Sequence, residues 1–296
     1  MNQDPMGNRQ SRGRGGGLRL LVVGALLLYG AYYYFSNRTV DPYTGEQVLI
    51  DKTLDAEQES ALGLQAYREI LSQERPVDPN SEIARQITGI ATRLIDKVDE
   101  VERDLAAERG IEARNFAAGF DWTVNVIQSD QANAFALPGG KMAVYTGLVP
   151  VAKNQDGMAA VMGPEIAHAR MRHGAQRMAR GKLEQIGQMA GAAGGMDAGT
   201  MQTVMSAYGV TSALPYARAH ETQADEVGLM LAAAACFDPR EAVPLWERMA
   251  QASGGQSPPE FASTHPSPET RIQHLQSLMP KALAFREQYC GTGGAP

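Results

Sequence analysis

An apolar segment near the N-terminus, GLRLLVVGALLLYGAYYYF at residues 17–35, most constrains what this chain can fold into. Beyond Arg19 the segment carries no charge, and its length lies near the lower limit for a helix that crosses a bilayer. Aromatic residues that typically lie at a membrane interface cluster at its far end, namely Tyr29, Tyr32, Tyr33 and Tyr34. We therefore predict a transmembrane helix over residues 17–36.

The flanks of this segment indicate an anchor that is not cleaved. Residues 1–16 form a polar tail rich in glycine and arginine, which we expect to be disordered. The following YYYFSNR lacks the small-residue pattern of a signal-peptide cleavage site. Because the positive charges precede the span, we expect a cytoplasmic N-terminus and a body on the opposite side. A buried core helix is the alternative, which the polar segments on both sides disfavour.

The rest of the 296-residue chain has the composition of a globular protein, with 44% hydrophobic and 20% charged residues. We expect a linker at 37–50, one domain at 51–290 and a flexible tail at 291–296. The net charge of −6 argues against nucleic acid as a partner. Cys236 and Cys290 lie in no C-x-x-C pair. Two interpretations of them stay open, two free buried thiols or one disulfide that needs an oxidising compartment.

Periodicity predicts a mostly helical α+β fold. One helix follows Asp55, and a second covers residues 81–110. The segments FDWTVNVIQ and NAFALPGGKMAVYTGLV predict a small antiparallel sheet with a turn at residues 138–140. We expect an edge of this sheet to run through Ala134, Phe135 and Ala136, and everything after residue 150 to be helical. The Ala-, Gly- and Met-rich stretch at 183–213 is either a packed helix pair or a mobile apolar flap over a cleft or against a membrane.

Two short patterns could carry chemistry. In AAVMGPEIAHARMRHG, residues 159–174, a histidine in place of Pro164 would give the H-E-x-x-H helix of a zinc peptidase. Glu165 and His168 remain, and alone they are weak evidence. In PYARAHETQADEVG, residues 215–228, Glu221 and Asp225 lie one helical turn apart. They could supply a metal ligand and a carboxylate that orients a ligand histidine, and an ordinary acidic helix face is the alternative.

The order of the motifs is more specific than any one of them. N-A-F-A-L-P-G-G-K is followed by G-x-E-x-A-H, then P-Y-A-R-x-x-E-x-x-A-D-x-x-G, then T-H-P-S-x-x-x-R-I at 264–272. This order resembles the membrane-associated gluzincin peptidases, which include HtpX, the CAAX prenyl protease and the Oma-type mitochondrial protease, over residues 50–285. The anchored form looks most like the bacterial periplasmic members. The resemblance implies a bacterial inner-membrane protein with a single span. Its zincin-like domain would lie in the periplasm.

The resemblance also implies the activity and the roles of the residues. The family cleaves peptide bonds with one zinc ion, often in damaged or misassembled envelope proteins. His168 and Glu221 match two of its three zinc ligands, and Glu165 matches the general base. Asp225 matches the carboxylate that holds the first zinc histidine, and His265 belongs to a motif near the site. The strand on which an extended polypeptide substrate lies matches Asn133, Ala134, Phe135, Ala136 and Leu137.

Pro164 departs from the family at the third ligand position. Proline offers no metal-binding atom, so we expect weak or absent zinc and impaired hydrolysis. Its ring costs roughly 3 kcal/mol inside a helix, so the helix should kink or restart there. Asp225 would lose the histidine it orients and lie in a dry pocket without a donor, which is costly.

Three interpretations of Pro164 follow. The chain is a pseudopeptidase that binds extended polypeptides, or a working peptidase in which His265 or another donor completes the zinc site, or an intact family member that carries a lesion or an engineered change. We expect structural or surface roles for the remaining histidines, His173, His220 and His274.

Overall fold

The computed structural model describes residues 15–41, 43–112, 120–252 and 268–291. The protein is mostly helical with a small sheet, which confirms the predicted α+β class. The helices are α1 (Gly15–Ser36), α2 (Ala56–Gln73), α3 (Glu82–Ile95), α4 (Val98–Glu108), α5 (Val149–Ala152), α6 (Gln155–Arg170), α7 (His173–Ala193), α8 (Ala198–Tyr208), α9 (Leu214–Ala234), α10 (Ala242–Ala252) and α11 (Pro268–Cys290). The strands are β1 (Arg38–Val40), β2 (Gln47–Leu49), β3 (Thr123–Ile127), β4 (Ala134–Leu137) and β5 (Lys141–Tyr145).

The three-stranded sheet has the order β3–β5–β4. Strands β4 and β5 form an antiparallel hairpin, whose turn uses Gly139 and Gly140 at φ of 77° and 86°. Those angles are open to glycine at little steric cost. Strand β3 pairs with β5 in parallel, so the predicted antiparallel pairing applies to the hairpin. Strand β4 is an edge of the sheet, where the sequence places it.

Helices α6 and α9 form the centre of the body. Every residue of α6 from Gly157 to Arg170 is buried, as expected for a helix that is covered on all sides. The two helices meet at Gly163 and Gly228. A Cβ atom added to Gly228 would lie 2.3 Å from the backbone nitrogen of Pro164, so the backbones touch.

The structure agrees with the helix predicted after Asp55 and differs from the one predicted at 81–110. Asp55 caps α2, the helix predicted to follow it, and the structure adds a capping box with Gln58. The single helix predicted at 81–110 is wrong, because the chain forms α3 and α4 there. The amide of Lys97 donates to the carbonyl of Leu94 at 3.1 Å, and this short-range bond closes α3.

The predicted linker at residues 37–50 carries the β1–β2 hairpin, which packs on the body. Val48 and Ile50 contact Ala175 of α7, and the buried hydroxyl of Tyr43 donates to Glu102 of α4. Before the hairpin, α1 lies along α7. Residues Gly16–Ser36 of α1 are long and apolar enough to cross a membrane.

The structure distinguishes between the alternatives for the two cysteines and bears on those for the stretch 183–213. Cys236 and Cys290 form a disulfide that joins the turn after α9 to the end of α11. In the stretch 183–213, α8 buries none of its residues, so α8 is not part of a packed core pair.

Candidate active site

Helix α6 carries Glu165 and His168 into the interior. Asn154 caps it by accepting from the amide of Gly157 at 2.7 Å, and the helix then runs through Pro164 to Arg170. The restart predicted at Pro164 is therefore not observed. Burial of α6 on all sides offsets the local cost of the proline, because tertiary packing supplies most helical stability in a protein.

Helix α9 brings its carboxylates to the same place. Glu221 and Asp225 are both buried, and Glu221 Oε1 lies 3.4 Å from Nε2 of His168. The predicted residues Glu165, His168, Glu221 and Asp225 thus lie on two adjoining helices. His265 lies outside the residues that the structure describes.

Arg271 of α11 supplies a positive charge to this acidic cluster. Its Nη1 lies 2.9 Å from Glu221 Oε2, its Nε lies 2.8 Å from Asp225 Oδ2, and its Nη2 donates to Asp225 Oδ1. The guanidinium also lies over the ring of Trp246, with 3.8 Å between Cζ and the ring centroid. The expectation that Asp225 lies without a donor is therefore wrong, since the arginine binds both of its oxygens.

Two histidines expected to have structural or surface roles are buried against the site. Nδ1 of His173 lies 2.8 Å from Nδ1 of His168, and the ring of His173 stacks on that of His220 with centroids 4.0 Å apart. Arg172 explains this position. Its left-handed backbone, at φ 55°, redirects the chain between α6 and α7, so His173 does not follow the spacing of a regular helix.

Burial keeps these two rings neutral. The amide oxygen of Gln176 accepts from His220 Nε2 at 3.0 Å and from the Tyr216 hydroxyl at 2.9 Å. Loss of solvent lowers the pKa of His220 to about 3 and that of His173 well below its ordinary value. The nearby cations and imidazoles lower both further. His173 and His220 are therefore hydrogen-bonding supports at neutral pH rather than charged groups.

The cluster opens into a cleft of about 580 Å³. All five residues of the predicted substrate strand line it, from Asn133 to Leu137, and so do Glu165, His168 and Glu221. The opposite wall comes from α7 and α9 and includes Arg177, Arg180 and Tyr216. The free edge of β4 thus faces the acidic and imidazole groups across one cavity.

Comparison with known proteins decides the family. The model of peptidase family M48 matches residues 95–279. The chain belongs to peptidase family M48. This confirms the resemblance to membrane-associated gluzincin metallopeptidases, and the family implies a metal cofactor, typically zinc.

Similar curated proteins are metalloendopeptidases. The mitochondrial metalloendopeptidase OMA1 of Schizosaccharomyces pombe is 33% identical over 269 residues, which cover 90% of this chain and 74% of that protein. The human mitochondrial metalloendopeptidase OMA1 is 30% identical over 268 residues, covering 86% and 48%. The β-barrel assembly-enhancing protease of Escherichia coli O157:H7 is 31% identical over 159 residues, covering 50% and 32%. The chain therefore spans about three quarters of the first relative and half or less of the other two.

The donor set does not fit a catalytic zinc ion. Such a site needs three protein ligands and an open position. His168 and Glu221 converge, but position 164 carries a proline and the second oxygen of Glu221 accepts from Arg271. Within the described ranges no group of three histidines, cysteines or carboxylates could hold a metal.

Sequence reasoning missed Arg271, His173, His220 and Gln176 as parts of the site. Arg271 was within reach, because it is the arginine of the T-H-P-S-x-x-x-R-I motif. His173 and Gln176 carry no signal in the sequence, since their positions depend on the turn at Arg172. His220 precedes Glu221 on α9, where helical spacing directs it to another face.

Proposed function

We propose that this chain binds extended polypeptides along β4 and that Pro164 impairs hydrolysis at the adjoining centre. The observation that carries the proposal is the shared cleft, in which the open edge of β4 faces Glu165, His168 and Glu221. A sheet edge binds an extended chain through main-chain hydrogen bonds, whatever the sequence of that chain. The M48 family acts on polypeptides, which supplies the substrate class.

The register of the hairpin identifies the groups that would bind a peptide. Tyr145 donates its amide to the carbonyl of Asn133 at 2.9 Å, so this pair is hydrogen bonded. In an antiparallel ladder such pairs alternate with pairs that are not bonded to each other. The main-chain groups of Phe135 therefore point to β5, and those of Ala134 and Ala136 point to the open edge.

The impairment follows from the donors that remain. Glu165 keeps the position of a general base one turn from His168, but position 164 supplies no ligand. Arg271 meanwhile pairs with both Glu221 and Asp225 and offsets one of their two negative charges. The positive charge that a metal would bring is thus partly replaced by a side chain of the protein itself.

We further propose a bacterial inner-membrane protein with a cytoplasmic N-terminus and a periplasmic body, active in quality control of envelope proteins. Arginines before α1, its apolar length and the disulfide between Cys236 and Cys290 support this placement. A bacterial relative described as a β-barrel assembly-enhancing protease supports the envelope role.

Zinc content and casein cleavage, measured side by side, test the proposal. The chain with Pro164 should hold well under one zinc and leave casein intact, whereas Pro164→His should bind zinc and cleave. Adding Glu165→Gln to Pro164→His is the matched control, which should bind zinc and lose cleavage.

Two other outcomes would change the conclusion. A full zinc and cleavage with Pro164 in place would show that another donor completes the site, and His265 would be examined first. If neither the chain with Pro164 nor Pro164→His binds zinc or cleaves casein, while both still bind casein, the cleft is a polypeptide-binding site rather than a catalytic one.

A further inference from the structure

Helix α1 lies antiparallel to the second half of α7. Near the end of α1, the amine of Lys182 lies 4.8 Å from the ring centroid of Tyr33. About one turn earlier in α1, a Cβ atom on Gly30 would lie 3.3 Å from the side chain of Ile186. At the other end, Cβ atoms on Gly194 and Gly195 would lie 3.6 Å from Val23 and 3.7 Å from Arg19.

These contacts fix the depth of α7 relative to the anchor. Tyr33 and Arg19 are fourteen residues apart, or about 21 Å along a helix. A bilayer has a hydrocarbon core of about 30 Å. If α1 crosses the membrane, residues 183–195 accompany it through most of that core.

Residues 183–213, which run along α1 and back, have a composition that suits a lipid environment. From residue 183 to 213 the charged side chains are Glu184 and Asp197. Glu184 lies near the level of Lys182, and Asp197 lies at the turn beside Arg19, where it caps α8. The glutamines of this stretch, at Gln185, Gln188 and Gln202, are long, polar and uncharged.

Two threonine hydroxyls of this hairpin are satisfied within their own helices. Thr203 donates to the carbonyl of Gly199 at 2.9 Å, and Thr211 donates to that of Ala207 at 2.8 Å. Such bonds let threonine lie in lipid without an unpaired donor.

The hairpin has a large apolar surface that no described residue covers. Helix α8 buries none of its residues, and Met189, Val204 and Val210 are exposed. A groove of about 260 Å³ between α7 and α8 has five large apolar residues among its ten lining residues, Leu183, Met196, Met201, Val204 and Met205, and Glu184 also lines it. In water such a patch would promote aggregation.

We propose that the α7–α8 hairpin, residues 183–213, is immersed in the acyl-chain region of the bilayer beside α1. The continuity of the hairpin with the anchor selects lipid as the occupant, because both expose apolar side chains over the same span. This inference rests on the membrane anchor of the proposed function.

Single cysteines test the placement, since the two native cysteines are joined in the disulfide. The full chain is labelled with bimane at Val204→Cys or, as a second site, Met189→Cys, and is reconstituted into vesicles with brominated acyl chains. Leu28→Cys on α1 reports on the anchor, and Leu62→Cys on α2 is the matched control, since Leu62 and Val204 are 46% and 47% exposed. Circular dichroism verifies the fold of each variant.

We expect the bromines to quench the label at positions 204 and 189 as strongly as at position 28, and to leave position 62 unquenched. Quenching at 28 without quenching at 204 and 189 would overturn the inference and leave the anchor standing. No quenching at 28 would overturn the anchor and, with it, the inference. Equal quenching at 62 would also overturn it, because contact with lipid would then not be specific to the hairpin.

Discussion

A single arginine holds the acidic half of the candidate site together. Arg271 binds Asp225 through two nitrogens and Glu221 through a third, and all three side chains are buried. Buried carboxylates without a partner are much less stable than exposed ones, so the folded site depends on this cation.

Replacing Arg271 with methionine should therefore destabilise the protein strongly. We expect Arg271→Met to lower the free energy of unfolding by about 3–5 kcal/mol, because it leaves two buried carboxylates uncompensated. Denaturant unfolding measures the loss. Arg240→Met removes the cation of a surface pair with Asp238 and should cost less than about 1 kcal/mol. Equal losses in the two variants would contradict the role of Arg271.

The site residues divide by how far apart they lie in the sequence. Glu165 and His168, or Glu221 and Asp225, share a helix, so spacing alone predicts that each pair faces one way. The same spacing predicts the wrong position for His173, because the left-handed Arg172 ends the helix along which the spacing is counted. Arg271 lies 46 residues beyond Asp225, and no periodic rule links residues across that distance.

At the scale of elements, the α6–α9 contact determines whether the two halves of the site meet. Gly163 and Gly228 let the helix backbones approach, and a Cβ on either residue would overlap the other helix. Glu165 and His168 on α6 and Glu221 on α9 are brought together across this contact.

We expect Gly228→Ala to lower the free energy of unfolding by about 1–3 kcal/mol or more, since its methyl group would meet Pro164. Gly89 offers a matched control, because it is an exposed glycine of α3 with nothing within 4 Å of an added Cβ. Gly89→Ala should instead stabilise the chain by about 0.5–1 kcal/mol. Thermal or urea unfolding compares the two, and a neutral Gly228→Ala would mean that the helices can separate without cost.

Strand β4 allows a test of peptide docking that leaves the sheet intact. Proline is tolerated on an edge strand where the amide faces outward. Ala136→Pro should weaken binding of unfolded, fluorescently labelled casein about fivefold, the equivalent of one hydrogen bond of about 1 kcal/mol. Ala136→Ser keeps the amide and should bind normally in the same anisotropy measurement. Unchanged binding by the proline variant would exclude docking at this position.

Most elements follow from local signals in the sequence. The cap at Asp55, the turn at Gly139 and Gly140, and the alternation in β4 and β5 each have a physical cause within a few residues. The division between α3 and α4 does not, because neither glycine nor proline marks it. The parallel pairing of β3 with β5 could not be predicted either, since alternation of apolar and polar residues indicates a strand but not its partner.

At the scale of the whole molecule, the disulfide connects the two helices that build the acidic half of the site. Cys236 and Cys290 are 54 residues apart, and closing a loop of that length removes about 4 kcal/mol of chain entropy from the unfolded state.

Reduction should therefore lower the free energy of unfolding by up to about 4 kcal/mol. Denaturant unfolding with and without a thiol reductant measures the difference. The double variant Cys236→Ser, Cys290→Ser should show the lower stability under both conditions. If that variant matched the oxidised chain, the bridge would contribute nothing to stability.

The same bridge has a consequence for the arginine. Arg271 lies within the stretch that the disulfide closes into a ring, so both ends of that stretch are held to the body. The ring raises the effective concentration of the guanidinium beside Asp225, as a short tether does for a linked ligand. Opening the ring lets the arginine leave its carboxylates at a smaller loss of free energy. The exposure of Glu221 and Asp225 is thereby coupled to the redox state of Cys236 and Cys290.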